Sequence, residues 1–194
     1  FQQSHAPIDW LPAAGRLYFF GDVEDYGAAD QVKVVYSVDD PGPPTPAPGG
    51  VKRFGERRAA FMPFVSFPSP EWLFIEELGM DFEAFDAQLD AAGERPPGED
   101  LLHRIGGYPD EIQNACLRLE CEHPARRLPP LDYAAETPPA IERASKEWRL
   151  LLQIDSDPDL GMESGDAGRL YVFIRERHAR AGDFSKTVTL LQCY

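Results

Sequence analysis

The chain of 194 residues carries 33 acidic and 19 basic side chains, which gives a formal charge of −14. Its 43% apolar and 27% charged residues fit one soluble globular domain. The negative field excludes nucleic acid as the expected partner, and no apolar run approaches the roughly 20 residues that cross a bilayer. Three cysteines fit a reducing compartment, so we predict a cytoplasmic protein without a membrane partner.

The first forty residues predict two strands, residues 16–21 and 31–38. In the second strand, Val32 and Val34 alternate with polar side chains, which is the period of a half-buried strand. Residues 39–50 contain five prolines and three glycines and predict a proline-rich loop. Because the chain begins without a methionine, we expect residues 1–194 to be one domain that lacks part of its N-terminal region.

The middle of the chain predicts the helices. Residues 58–67 predict an edge strand, because Pro63 removes a hydrogen-bond donor. A helix is expected to begin at Ser69 and to end at Gly79, and a second to run over residues 81–93. A loop follows over residues 94–100.

The second half of the chain is again rich in strands. A proline-rich loop is expected over residues 123–139 and a short helix over residues 140–147. The predicted strands comprise residues 101–108, 115–121, 150–154, 170–174 and 187–193. This order favours an α+β fold with largely antiparallel sheets and two or three helices inserted mid-chain.

One heptad pattern occurs twice. Residues 14–20 and 167–173 share the sequence AGRLYxF, and each copy leads from a glycine turn into a predicted strand. The repeat indicates either an internal duplication or a chance similarity between two β-rich heptads.

The segment 148–157 (WRLLLQIDSD), followed by 165–171 (GDAGRLY), resembles the YwqG-like family of bacterial domains, which has no assigned function. The resemblance covers most of the chain through shorter matches, which include Leu11-Pro12, residues 15–20, the turn 106–109 with Gln113, Phe184 and Gln192. It implies an α+β fold with sheet halves related by duplication, and it implies no reaction.

The loop after residue 154 is acidic and has the spacing of a calcium loop. Carboxylates stand at the first, third, fifth, ninth and twelfth positions: Asp155, Asp157, Asp159, Glu163 and Asp166. Against this site, Leu160 stands where the sharp turn needs glycine, and Pro158 stiffens the loop. The alternative is a solvated connection in which aspartates stabilise turns. We prefer a structural interpretation for Gln153, Asp155 and Ser156, whose side chains could bond to neighbouring backbone.

Other candidate residues are scattered. Cys116, Cys121 and His123 have partial zinc-ligand spacing, but no fourth ligand is evident and buried structural cysteines are favoured. Gln153, Arg175 and His103 are candidates for contact with a ligand or partner. Arg175 belongs to a basic cluster that also contains Arg177, His178 and Arg180 and could accept an anion.

The sequence favours a binding or interaction module that engages a protein or small molecule in a groove near residues 155–168. One alternative is a metal-dependent enzyme or divalent-cation-binding protein that uses the acidic loop. Another is an immunity- or accessory-type protein that binds a basic partner by charge complementarity. No GxSxG, HExxH, P-loop or GxGxxG motif is present. The sequence does not decide whether the protein is an enzyme, favours a non-catalytic role, and predicts no cofactor apart from the calcium hypothesis.

Overall fold

The computed structural model describes residues 8–21, 32–40, 42–43, 45–50, 53–68, 79, 83–85, 87, 103–114 and 116–194. The strands are β1 (Arg16–Gly21), β2 (Val32–Ser37), β3 (Trp148–Asp155), β4 (Arg169–Arg175) and β5 (Val188–Gln192). The helices are α1 (Leu117–Glu120), α2 (Glu122–Arg126), α3 (Pro139–Ser145) and α4 (Glu176–Arg180), with a 3₁₀ turn at Phe184–Lys186. Residues 83–85 and 87 are also helical. In these parts of the chain, no helix is long and apolar enough to cross a bilayer.

The strands form two antiparallel sheets, as the predicted α+β class requires. Strands β1 and β2 pair from Arg16 opposite Ser37 to Gly21 opposite Val32. The second sheet has the order β3-β4-β5, with β4 in the middle. Every residue of β4 is buried, because β4 is the central strand of its sheet and both of its faces are covered.

Strand β4 separates two apolar clusters. On one face, Val172 and Ile174 pack with Val32 and Val34 of β2. On the opposite face, Tyr171 and Phe173 of β4 pack with residues of α1, β3 and β5, which comprise Leu117, Trp148, Leu150 and Val188. Successive side chains of β4 point to opposite faces, so this one strand contacts the first sheet on one side and helix α1 on the other.

The predictions for 16–21, 31–38, 140–147, 150–154, 170–174 and 187–193 are confirmed to within two residues at most ends. The edge strand predicted over residues 58–67 is wrong, because residues 53–68 have no regular secondary structure. Its apolar side chains do not find a buried face: Phe61 is 42% exposed and Val65 is 77% exposed. Pro63 also lacks the N–H group that a sheet partner would need.

The strand predicted over residues 115–121 is also wrong, because residues 117–120 form helix α1. The apparent alternation misled the prediction, since the neighbouring residues Cys116 and Leu117 are both buried. The amide of Cys121 donates to the carbonyl of Leu117 at 3.0 Å, which closes the helical turn.

The irregular segment predicted over residues 123–139 begins instead with helix α2, and is irregular from residue 127 to 138. Pro124 is tolerated there because the first turn of a helix does not need its N–H.

In residues 103–108, the described part of the strand predicted over residues 101–108, strand pairing is limited to one bridge between Arg104 and Gln153. It is followed by a turn in which Gly106 and Gly107 have φ of +71° and +72°. The helices predicted over 69–79 and 81–93 and the loop over 94–100 lie outside the described residues, apart from residues 79, 83–85 and 87. The two AGRLYxF copies enter β1 and β4, but Gly15 has φ +96° whereas Ala167, not Gly168, has positive φ in the second turn. Internal duplication therefore stays a prediction.

Candidate functional site

Two carboxylates of the acidic loop, Asp155 and Asp157, bond to neighbouring groups of the protein. The side chain of Asp157 accepts hydrogen bonds from the amides of Asp159 at 2.9 Å and Leu160 at 3.2 Å, which is an Asx turn. The carboxylate of Asp155 lies 3.0 Å from Nε of Arg169. Within the described residues, no group of three or more His, Cys, Asp or Glu side chains could hold a metal ion. The five predicted calcium ligands are all described residues and do not converge.

The polar residues at the end of β3 also bond to the backbone around them. Gln153 is fully buried, and its Oε1 accepts from the amide of Asp110 at 2.9 Å. The hydroxyl of Ser156 donates to the carbonyl of Gly168 at 2.8 Å and accepts from the amide of Ser164 at 3.0 Å. The side chain of Ser156 therefore joins two backbone groups of the loop, whereas the side chain of Gln153 bonds to the backbone of the segment that precedes α1.

His103 lies beside the same loop. Its Nδ1 accepts from the amide of Asp155 at 3.0 Å, and its Nε2 lies 3.8 Å from Oδ2 of Asp157. The side chain of His103 therefore connects the end of β3 to the segment that precedes the glycine turn.

The residues with zinc-ligand spacing lie in different surroundings. Cys116 packs with Leu119 in one small cluster, whereas Cys121 packs with the core beneath α1. His123 makes a hydrogen bond to the carbonyl of Pro129. Burial raises the pKa of both thiols, because a thiolate would lose its hydration.

Arg169, at the start of β4, is paired with two acids. It forms ion pairs with Asp110 and Asp155, and the hydroxyl of Tyr171 donates to the carbonyl of Asp110 at 2.7 Å. Nearby, Oε2 of Glu111 is buried and has no hydrogen-bond partner among the described residues. Burial, and then the charge of Glu120, raises the pKa of Glu111 to about 8. This carboxyl therefore retains a proton at neutral pH.

Arg175, at the other end of β4, belongs to a buried ion-pair network. The carboxylate of Glu122 is fully buried and accepts from Arg175 and Arg126 at 2.6 Å each and from the indole of Trp148 at 2.7 Å. Burial would raise the pKa of Glu122, but the hydrogen bonds from Arg126, Trp148 and Arg175 outweigh it and lower this pKa. The guanidinium of Arg175 also stacks 4.6 Å from the centre of the Trp148 ring.

A cleft of about 600 Å³ opens beside this network, and we call it the cationic cleft. Its lining comprises Pro124, Ala125, Arg126, Trp148, Arg175, Arg177, His178, Ser185, Lys186, Thr187 and Val188. No acidic residue lines it. Among the described residues, its four permanent cations have three carboxylates near them: Glu122 and Glu147, which form ion pairs with the arginines, and Asp183, which interacts with Lys186. This leaves one positive charge, on a protein of charge −14.

The cationic side chains in the outer part of the cationic cleft are accessible to solvent. The side chains of Arg126 and Arg177 are 42% and 56% exposed. Lys186 is exposed and forms no ion pair within the described part of the chain. Burial, and then the charge of Arg177, lowers the pKa of His178, so this side chain is neutral at pH 7.

The sequence found part of this site. It grouped Arg175, Arg177 and His178 as a cluster that could accept an anion, and the cleft contains all three. It missed Arg126 and Lys186, because α2 and the 3₁₀ turn reach the cleft only in the folded chain. Arg180 lies outside the cleft lining and pairs with Glu176.

A second cleft of about 510 Å³ is apolar. It lies between residues 11–19, Tyr36, Phe61, Ile105 and residues 151–152. Neither of these two clefts includes a residue of the segment 155–168, where the sequence predicted a groove.

Comparison with protein families matches residues 1–193 to the family described as "Domain of unknown function (DUF1963)". The chain therefore belongs to this family, over nearly its whole length. A search of curated proteins found no significant match.

Proposed function

We propose that the domain is a non-catalytic binding module that holds the anionic group of its ligand in the cationic cleft. The observation that carries the proposal is the convergence of four permanent cations, from α2, the end of β4, α4 and the 3₁₀ turn, on one concave surface. On the surface of an acidic protein, a cationic side chain normally has acidic side chains as neighbours. A cleft with excess positive charge focuses the field and attracts anions.

The side chains in the cleft favour binding over catalysis. Ser185 is the nearest approach to a nucleophile, but its hydroxyl donates to Asp183 at 2.6 Å rather than to His178. A serine nucleophile needs a base that takes its proton, and a third group that orients this base. The arrangement around Ser185 lacks that order. Arginine and lysine, in contrast, are the side chains that proteins use to hold carboxylates and phosphates.

The wider proposal places the module in the cytoplasm, with a small molecule or a protein as the source of the anion. The motif over residues 148–157 supports the assignment of the chain to the narrower YwqG-like family. Two other hypotheses from the sequence have their own tests. Calorimetry with Ca²⁺, Mg²⁺, Mn²⁺ and Zn²⁺ addresses the divalent-cation hypothesis. A complex with a basic partner that weakens steeply with salt would support charge complementarity.

The test of the anion site is calorimetric titration with inorganic phosphate at low ionic strength. The wild type is expected to bind, and Lys186→Glu is expected to weaken binding about tenfold or more, because reversing a charge near the ligand costs about 1.4 kcal/mol or more. Lys33→Glu is the matched control, since Lys33 is exposed on β2, outside the cleft. Absence of binding, or equal weakening by both variants, would contradict the proposal.

A further inference from the structure

We infer that the group held in the cationic cleft is a dianion, the phosphate of a small phosphate monoester. The inference rests on the proposed function and specifies its ligand. It is derived from the charge balance of the cleft, from the carboxylate that already occupies two of its arginines, and from the apolar part of the lining.

The first argument is the charge balance. Glu122 is buried between Arg126 and Arg175, and Glu147 pairs with Arg175 and Arg177. Asp183 caps the 3₁₀ turn and offsets the charge of its lysine, so one positive charge stays uncompensated while Glu147 is in place. A ligand that displaces Glu147 meets a second positive charge. A carboxylate ligand would neutralise one of the two, whereas a phosphate monoester, with a charge close to −2 above its second pKa of about 6, neutralises both.

The second argument is the role of Glu147. Its Oε2 lies 3.2 Å from Nη1 of Arg175 and also contacts Arg177. The side chain of Glu147 is 44% exposed, so it is held at the rim and not locked in the core. A ligand carboxylate would compete with this internal carboxylate on equal terms. A phosphate has twice the charge and three acceptor oxygens, and therefore binds to the arginines better than Glu147 does.

The third argument concerns the rest of the ligand. Pro124, Ala125 and Val188 line the cleft beside the cations. Its volume of about 600 Å³ lies within the range of small-molecule sites. The cleft thus offers an apolar wall to a small organic body that carries the phosphate.

The experiment compares phenyl phosphate with benzoate, which have the same ring but differ in the charge of the anionic group. Calorimetric titrations are made at pH 8 and constant ionic strength, where the phosphate ester is fully dianionic. We expect phenyl phosphate to bind at least tenfold more tightly than benzoate. In Glu147→Gln, the internal competitor loses its charge, so both compounds should bind more tightly. Phenyl phosphate should gain more affinity than benzoate, because a dianion responds more strongly to the removal of a negative charge, and the ratio of their affinities should rise severalfold.

The outcomes separate this inference from the proposed function. If benzoate binds as tightly as phenyl phosphate, the dianion inference is wrong and the anion site stands. If neither compound nor inorganic phosphate binds, both proposals are wrong. An unchanged ratio in Glu147→Gln would overturn the competitor role of Glu147. Tighter binding of a phosphoserine peptide than of phenyl phosphate would overturn the small-molecule class.

Lys186→Gln provides a second variant, because Lys186 is exposed and its replacement leaves the core intact. It should lower the affinity for phenyl phosphate more than the affinity for benzoate, since the dianion interacts more strongly with each cation. Lys33→Gln, with the same change of net charge, should leave both affinities within twofold of the wild type. Equal losses in both lysine variants would overturn the inference.

Discussion

Strand β4 has an arginine at each end, and the two ends have opposite charge balances. Arg169 pairs with Asp110 and Asp155, beside the loop in which the side chains of Ser156 and Asp157 bond to backbone groups. Arg175 pairs with Glu122 and Glu147, but the neighbouring cations outnumber these acids. Acids exceed cations at the first end, where Glu111 keeps its proton, and cations exceed acids at the second.

The difference shows that an acidic cluster in a sequence need not be a site. Asp110 and Asp155 are paired with Arg169 or with backbone amides, and Glu111 retains its proton. The cations around Arg175 are paired only in part, because the nearby carboxylates among the described residues are fewer than the four cations of the cleft. A ligand of opposite charge can bind to charged groups that are unpaired and accessible to solvent. The end with fewer acids is therefore the better functional candidate.

The largest expected effect is the replacement of Arg175. Arg175→Met removes one of the two guanidinium groups that bind the fully buried Glu122, and we expect it to destabilise the fold by about 3–5 kcal/mol. Arg169→Met should cost less, about 2 kcal/mol, because the side chain of Asp110 is 30% exposed and water can hydrate it, while the nearly buried Asp155 keeps the hydrogen bond from the amide of Ser156. Urea denaturation measures both.

The double variant Glu122→Gln/Arg175→Met should recover part of the lost stability, since it removes the stranded charge. If Arg169→Met costs as much as Arg175→Met, the comparison of the two ends is wrong.

A smaller effect concerns the proton of Glu111. Because its folded-state pKa of about 8 exceeds the ordinary 4.5, the folded protein holds a proton between these values that the unfolded chain has lost. Stability contributed by the neutral carboxyl is present below pH 4.5 and is lost as the pH rises toward 8. Glu111→Gln should flatten this decline and raise the free energy of unfolding at pH 7 by about 2–3 kcal/mol.

Denaturation curves from pH 5 to 8 test the Glu111 prediction. Glu136→Gln, at an exposed position, is the control and should keep the wild-type pH dependence. A parallel decline in Glu111→Gln and the wild type would show that Glu111 is ionised in the folded state.

The smallest effect is expected in the loop beside Arg169. Ser156→Ala removes a hydroxyl that bonds to Gly168 and Ser164, and should cost about 1–2 kcal/mol. Ser37→Ala is the control, because Ser37 accepts a hydrogen bond only at the exposed end of β2, where about 0.5 kcal/mol or less is expected. Thermal denaturation distinguishes the two values. Equal costs would mean that the loop contacts contribute no more than exposed ones.

The strands that the sequence predicted well are those with long β-branched or aromatic runs. Residues 170–174 are apolar throughout, and they form the central strand that both sheets need. The errors at residues 58–67 and 115–121 concern short segments whose periodicity is compatible with more than one structure. Leu117 became helical because it packs against Trp148 and Tyr171, and this contact spans many residues of sequence.

The sequence by itself determined the fold class, the positions of most strands, the polar residues at the end of β3 and the basic run after β4. Local periodicity and turn chemistry encode all of these features. Only the tertiary structure decided that Glu122 is a buried partner of two arginines, and that Arg126 and Lys186 join Arg175 in one cleft. The physical reason is that charge balance depends on distances across the fold, and those distances are set by how β4 packs between its two clusters.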